Sequence, residues 1–247
     1  MTIPEFFEEH PKLALAFSGG VDSAYLLYAA RECGADVRAY CAFTPFQPAF
    51  EREEAADFCR LLGAELIPVT VPLLEDDTVA ANPADRCYYC KQLLLRAIQE
   101  RAEADGYDLL MDGTNASDDA SDRPGMRALR EAGVMSPLRL CGLTKDEIRR
   151  LSREAGLPTW DKPAYACLAT RIPTGERITP ELLGKAEGAE AALRRLGYSD
   201  LRVRVFHGAA RIQLPKAQLM DASRNAEAIR DAVKPYFGIV MLDLEGR

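Results

Sequence analysis

No apolar run in this 247-residue chain approaches the roughly 18 residues that a membrane-spanning helix needs. The acidic opening, MTIPEFFEEH, lacks the form of a secretory signal. The expectation is therefore a cytoplasmic chain with no membrane partner, whose seven cysteines are thiols rather than a disulfide framework. Low-complexity segments and internal repeats are missing as well, which argues against linkers and solenoids. Basic charge is in deficit: 31 Lys and Arg stand against 38 Asp and Glu, giving a net charge of −7. Proteins that hold long nucleic acids usually neutralise phosphates with a basic surface, so this balance favours a small substrate over nucleic acid, although a local patch for tRNA stays open. Histidine is scarce, with only His10 and His207, and neither lies in a promising place for a metal.

What is present points to a folded α/β chain. The apolar fraction of 48% is enough for a sizeable core. Short apolar runs alternate with amphipathic helical stretches: LALAF (13–17), a helix from Ser23 to Cys33, DVRAYCAF (36–43), a helix over 51–63, ELIPVTV (65–71), a helix from Cys90 to Asp105, and YDLLMDGT (107–114). This alternation predicts a doubly wound parallel sheet with helices on both faces, and ligands in such folds bind at the carboxyl ends of strands. Thr144 and Glu147 form a capping box at the start of TKDEIRRLSREAG. The Pro-rich stretch 157–179 then reads as a long functional loop. A helix from Pro180 to Leu196, the strands LRVRVF and ARIQL, and a final helix make a small α+β appendage. The expected domains are residues 1–175 and 176–247.

The polar loop after the first strand is SGGVDS (18–23). Gly19 and Gly20 let the backbone turn tightly and approach a ligand, and the following helix offers its N-terminal amides to an anion. Ser18 and Ser23 add hydroxyls, and Asp22 suits a Mg²⁺ that accompanies phosphate. There is no GxxxxGK[ST], so this is not a Walker loop. The hexapeptide resembles the pyrophosphatase (PP) loop of the N-type ATP pyrophosphatases, which implies ATP as cofactor, attack at its α-phosphate, and an adenylated substrate. A second loop, DGTNASDD (112–119), reads as the other wall of the nucleotide site: Gly113 for close approach, Asn115 and Asp118 for hydrogen bonds or metal. A solvated acidic loop is the alternative. Arg123 is a candidate phosphate ligand or a surface charge.

Cys87 and Cys90 form a CxxC pair in RCYYCK. Such a pair suits a redox dithiol, half of a zinc site or part of an iron–sulfur site. The thioredoxin-like context is missing, and no second CxxC completes a zinc site. A third cysteine, Cys167, lies in the breaker-rich loop. Three thiolates would hold three irons of a [4Fe-4S] cluster and leave the fourth open to carry sulfide. Cys33, Cys41, Cys59 and Cys141 read as ordinary core or helix residues.

SGGVDS, CYYCK, DGTNASDDASDRPGMRAL, SPLRLCGLTKDEIR, LPTWDKPAYACLATRIPTGERIT and RVRVFHGAARIQL together resemble the LarE family over nearly the whole chain. These are ATP-dependent sulfur transferases of nickel-pincer nucleotide biosynthesis. The resemblance implies adenylation of a carboxylate on a small pyridinium nucleotide, then its conversion to a thiocarboxylate with sulfide or another sulfur donor. In one variant of the family the cysteine at the position of Cys167 sacrifices its own sulfur. In the other it joins a CxxC pair on a cluster, and with Cys87 and Cys90 this chain resembles the second. Arg171 is expected to contact an anionic substrate group, and Arg202 and Arg204, two apart on a strand, to share a substrate phosphate or to pair with neighbouring acids. Glu190 and Asp221 are expected Mg²⁺ ligands, and a homo-oligomer is the expected assembly. A tRNA-thiolating enzyme, an ammonia-using ligase and a nucleotide-sensing module are the competing functions.

Overall fold

The computed structural model of the chain describes residues 1–118 and 124–247. Its elements begin with α1 (Ile3–Glu9), β1 (Lys12–Ala16), α2 (Val21–Glu32), β2 (Asp36–Phe43), α3 (Ala49–Leu61), β3 (Leu66–Thr70) and the single turn α4 (Asp77–Ala80). They continue with α5 (Arg86–Ala104), β4 (Leu110–Asp112), α6 (Pro124–Glu131), α7 (Pro137–Leu140) and α8 (Lys145–Glu154). The last are α9 (Pro180–Arg195), β5 (Arg202–Phe206), β6 (Ala209–Gln213), α10 (Lys216–Arg224), α11 (Ala226–Val233) and β7 (Val240–Leu242). They gather in two compact units. The first comprises Met1–Thr44, Ala49–Leu73 and Asp85–Ala164; the second comprises Pro45–Pro48, Leu74–Ala84 and Tyr165–Arg247.

In the first unit four parallel strands pair in the order β3-β2-β1-β4, with Leu15 opposite Ala39 on one side and Met111 on the other. Leu13, Ala14 and Leu15 are wholly buried, because β1 lies between two neighbours and helices cover both faces of the sheet. That is why it reads as a continuous apolar run rather than an alternating one. Leu26 and Leu27 of α2, Phe6 of α1, Leu138 of α7 and Ile148 of α8 belong to the core cluster that encloses it. The chain steps outward from β1 to β3, then returns through α5 to β4 on the far side of β1. This reversal creates the crevice at the carboxyl ends of β1 and β4, where open α/β sheets bind ligands. The α/β fold is thus the one anticipated, with a small sheet in the second unit.

Several local expectations shift. Strand β4 has three residues instead of eight, and α5 starts at Arg86, so both cysteines of the CxxC pair lie within the helix. The final helix divides at Asn225 into α10 and α11, and β7 follows. Helices α1, α6 and α7 were not expected; α1 opens on a Thr2–Glu5 capping box, a signal present in the sequence.

In the second unit β5 and β6 form an antiparallel hairpin, and β7 pairs parallel to β6. His207 and Gly208 turn the hairpin with φ of +49° and +78°, as a tight primed turn requires. Helix α9 buries Leu183, Ala186, Ala189 and Leu193 and packs on β5. The breaker-rich segment from residue 165 holds one 3₁₀ turn, Leu168–Arg171, and is tied down by backbone: Leu168 N–H donates to Phe46 O at 2.8 Å, Gly175 N–H to Asn82 O at 2.8 Å and Ile178 N–H to Ala80 O at 2.7 Å. Among the described residues no helix is long and apolar enough to cross a membrane.

Candidate functional site

The turn after β1 is built for an anion. Gly19 adopts φ +71°, and a Cβ there would lie 3.0 Å from the Cβ of Ala55, so glycine is required twice over. Gly20 is the N-cap of α2 and has no side chain to bond the helix's first amides, which leaves the positive end of the dipole for a ligand. The Ser18 and Ser23 hydroxyls lie 3.1 Å apart, and Ser23 Oγ donates to Gly20 O at 3.2 Å. Asp22 stands in the first turn of α2. Its Oδ2 accepts from Lys145 Nζ at 2.6 Å, while its Oδ1 is buried with no hydrogen-bond partner among the described residues. A buried carboxylate oxygen without a donor is costly, and a divalent cation would satisfy it.

The second loop lies directly against the first. A Cβ on Gly113 would come within 2.8 Å of Ser23 N and 3.2 Å of the Asp22 carbonyl carbon, so only glycine allows this approach. Asn115 and Asp118 spend part of their hydrogen-bonding capacity on the loop itself. Asn115 Oδ1 accepts from Ser117 N–H at 2.8 Å, and Asp118 Oδ2 accepts from Asn115 N–H at 2.9 Å. Ser117 Oγ accepts from Lys145 N–H at 2.9 Å, and Ala116 N–H donates to Leu143 O at 2.8 Å. These bonds carry the start of α8, and hence Lys145, to the Gly19–Gly20 turn. Arg123 lies outside the described residues.

Two lysines at this turn escaped sequence reasoning. Lys145 reaches Asp22, and Lys162 Nζ donates to Gly19 O at 2.9 Å. Neither carries a local signal: one is the first residue of a capped helix and the other a polar residue in a loop.

Cys87 and Cys90 lie in the first turns of α5, three apart and so on one side of the helix, with Cys87 exposed and Cys90 half-buried. The buried Arg86 places its Nη2 3.9 Å from Cys87 Sγ. Tyr88, between the cysteines, donates to Glu131 Oε2 at 2.6 Å and lies under Arg127, whose Cζ is 3.7 Å from the ring centroid.

Cys167 belongs to the second unit, and its main chain is gripped from behind. Arg171 Nη1 donates to Ala166 O at 2.7 Å, and Arg204 Nη1 to Thr170 O at 2.5 Å. Arg171 is fully buried against an equally buried Glu190, with Nε to Oε1 at 2.7 Å. Glu190 also accepts from Tyr165 Oη at 2.5 Å, Val203 N–H at 3.0 Å and Arg194 Nη2 at 3.3 Å. Burial works against the Arg171 charge, but the hydrogen bonds and charge of Glu190 prevail and raise its pKa. These two side chains, expected at substrate and at magnesium, are thus spent on each other and on the Cys167 loop. Asp221 is exposed on α10 and accepts from Tyr198 Oη at 2.8 Å. Arg202 and Arg204 do share one side of β5. Burial, and then neighbouring guanidiniums, push both below the usual arginine range, against a smaller opposing pull from Asp200 on Arg202 and from Glu190 on Arg204. The Arg202 side chain makes no hydrogen bond or ion pair among the described residues. Within each unit no three His, Cys, Asp or Glu side chains are gathered as metal ligands among the described residues.

No protein-family model matches the chain. It is 38% identical to an uncharacterized protein of Synechocystis sp. over 98% of this chain and 92% of the relative. It is 32% identical to the pyridinium-3,5-bisthiocarboxylic acid mononucleotide synthase of Lactiplantibacillus plantarum, over 99% of this chain and 90% of that one. An uncharacterized protein of Methanocaldococcus jannaschii is 29% identical over 96% and 91% of the two chains.

Proposed function

The chain belongs to the LarE-type sulfur transferase family, that of the pyridinium-3,5-bisthiocarboxylic acid mononucleotide synthase, and on that footing we propose that it converts a carboxylate of pyridinium-3,5-dicarboxylate mononucleotide into a thiocarboxylate at the expense of ATP. The observation that carries this reading is the buried, unpartnered Oδ1 of Asp22 beside an uncapped helix start. That pairing suits a metal-bound phosphate better than a bare turn does.

Ser18, Gly19, Gly20 and Ser23 hold the ATP phosphates, Asp22 holds the accompanying Mg²⁺, and Gly113 lets the second wall close on them. Lys145 keeps the Asp22 carboxylate aimed. The substrate carboxylate attacks the α-phosphate and pyrophosphate leaves, so the acyl group then carries AMP, a good leaving group. Sulfide displaces AMP to give the thiocarboxylate. Arg202, with Arg204 beside it, takes the phosphate of the mononucleotide. Arg171 and Glu190 position the main chain at Cys167. Cys87, Cys90 and Cys167 would hold a [4Fe-4S] cluster, which when bound would supply the sulfide.

Anaerobically purified protein given ATP, Mg²⁺, sulfide and the dicarboxylate mononucleotide is expected to release AMP and pyrophosphate and to yield a product in which sulfur replaces oxygen, read by mass spectrometry. Pyrophosphate release with no sulfur in the product would overturn sulfur transfer. Iron and acid-labile sulfide, lost together in Cys87→Ala, Cys90→Ala and Cys167→Ala, are the expected signature of the cluster. An iron-free protein whose Cys167 loses the mass of hydrogen sulfide on turnover would overturn it and make Cys167 the sulfur source.

A further inference from the structure

The Gly19–Gly20 peptide is held from outside the phosphate turn. Lys162 Nζ donates to the Gly19 carbonyl at 2.9 Å and pairs with Glu54 Oε2 at 2.7 Å. The lysine side chain is 17% exposed and its partner 52%. Glu54 precedes Ala55, the residue of α3 that fills the space beside Gly19. The backbone of Lys162 is anchored in turn: its N–H donates to Thr159 O at 3.1 Å, and its carbonyl accepts from Arg149 Nη2 of α8 at 2.8 Å. Lys162 and Glu54 stand in the wall of a cleft of about 430 Å³ that Gly19, Phe58, Leu61 and Thr159 also line.

A trans peptide is planar, with its carbonyl and its N–H pointing opposite ways. Fixing Gly19 C=O on Lys162 therefore fixes Gly20 N–H on the side away from the cleft. Two successive glycines are the most permissive backbone a turn can have, so nothing within the dipeptide prevents this peptide from rotating. Within the turn the peptide is held only by the long bond from Gly20 N–H to Ser18 Oγ, 3.4 Å, and Lys162, 143 positions away, adds the shorter one at its carbonyl end.

We propose that Lys162 and Glu54 are a positioning pair that holds the Gly19–Gly20 peptide in its anion-binding orientation, so that affinity for the polyphosphate depends on an ammonium that never touches it. The proposal rests on the assignment of the turn to ATP phosphates, and the experiment separates the two. Binding of ATP with Mg²⁺, of inorganic pyrophosphate and of adenosine to the full chain is measured by calorimetry for the parent, Lys162→Met, Lys162→Arg and Glu54→Gln, with melting temperatures alongside. Lys162→Met is expected to weaken ATP and pyrophosphate by about tenfold or more, the scale of one lost charge-assisted contact. Adenosine binding should stay as in the parent, Lys162→Arg should recover most of the loss, and Glu54→Gln should fall between. A merely structural role would weaken all three ligands together and lower the melting temperature. Equal pyrophosphate affinity in the parent, Lys162→Met and Glu54→Gln would overturn the pair's role. Failure of the parent to bind ATP or pyrophosphate would overturn the assignment of the turn instead. If Lys162→Met does not fold, Glu54→Gln with unchanged pyrophosphate affinity suffices to reject the pair.

Discussion

Arg171 and Glu190 bury opposite charges completely, and such a pair is favourable only while every hydrogen bond is made. Here the guanidinium reaches Glu190, Ala166 O and Thr170 Oγ1, and the carboxylate also holds Tyr165, whose phenol is pushed upward first by burial and then by the Glu190 charge. Arg171→Met removes the buried counter-ion of Glu190 and leaves only the longer contact to Arg194, at 3.3 Å. It is expected to cost about 3–5 kcal/mol in urea unfolding. A loss below about 1 kcal/mol would mean that the pair behaves as a solvated one. The cysteines differ in a similar, local way. Burial pushes the Cys59 thiol up to about 12, with Cys41 adding to it, which suits a core residue, whereas Cys87 is exposed.

The start of α8 shows how one element delivers a functional side chain. Thr144 Oγ1 accepts from Glu147 N–H, and Glu147 Oε2 accepts from Thr144 N–H at 2.9 Å. That reciprocal cap fixes the first turn, and Lys145 is its first residue. Thr144→Ala is expected to cost about 1 kcal/mol and to loosen Lys145 from Asp22, seen as weaker Mg²⁺-dependent nucleotide binding. The hydrogen bonds from Thr144 hold the Glu147 carboxyl below the usual range. A depressed acid contributes stability above its unfolded pKa, near 4.3 for Glu. The contribution disappears as pH falls through the folded value. The stability difference between the parent and Glu147→Gln should therefore be full at neutral pH and vanish in acid, and a gap that persists in acid would show that the carboxylate is not responsible.

For the whole molecule, a net charge of −7 sets the field that an approaching ligand meets. A chain of phosphates is repelled at long range, while a small nucleotide needs only the local positive groups of its site. Bulk tRNA should not be retarded by the protein in gel-shift assays at about 0.15 M salt, where screening leaves only contacts within about 8 Å. Micromolar retention that weakens steeply with salt would reveal a basic patch and favour RNA thiolation. Cys87 and Cys90 belong to the first unit and Cys167 to the second.

Local rules determined what lies close in sequence. The buried β1, the helix cap at Thr144, the start of α9 at Pro180 and the turn from Ser18 to Ser23 were legible because periodicity, capping and glycine chemistry act over a few residues. Strand β2 matches its expected span, Asp36–Phe43, end to end. Packing decided the rest. Lys145 meets Asp22 across 123 positions and Lys162 meets Gly19 across 143, and no spacing rule reaches that far. The sequence offers Glu190 as a helix carboxylate expected at Mg²⁺; only the fold, by enclosing Arg171 and the Val203 amide around it, makes it the buried anchor of the Cys167 loop. Short-range torsional preferences set the elements, whereas the desolvation of opposite charges is felt only once the elements have packed.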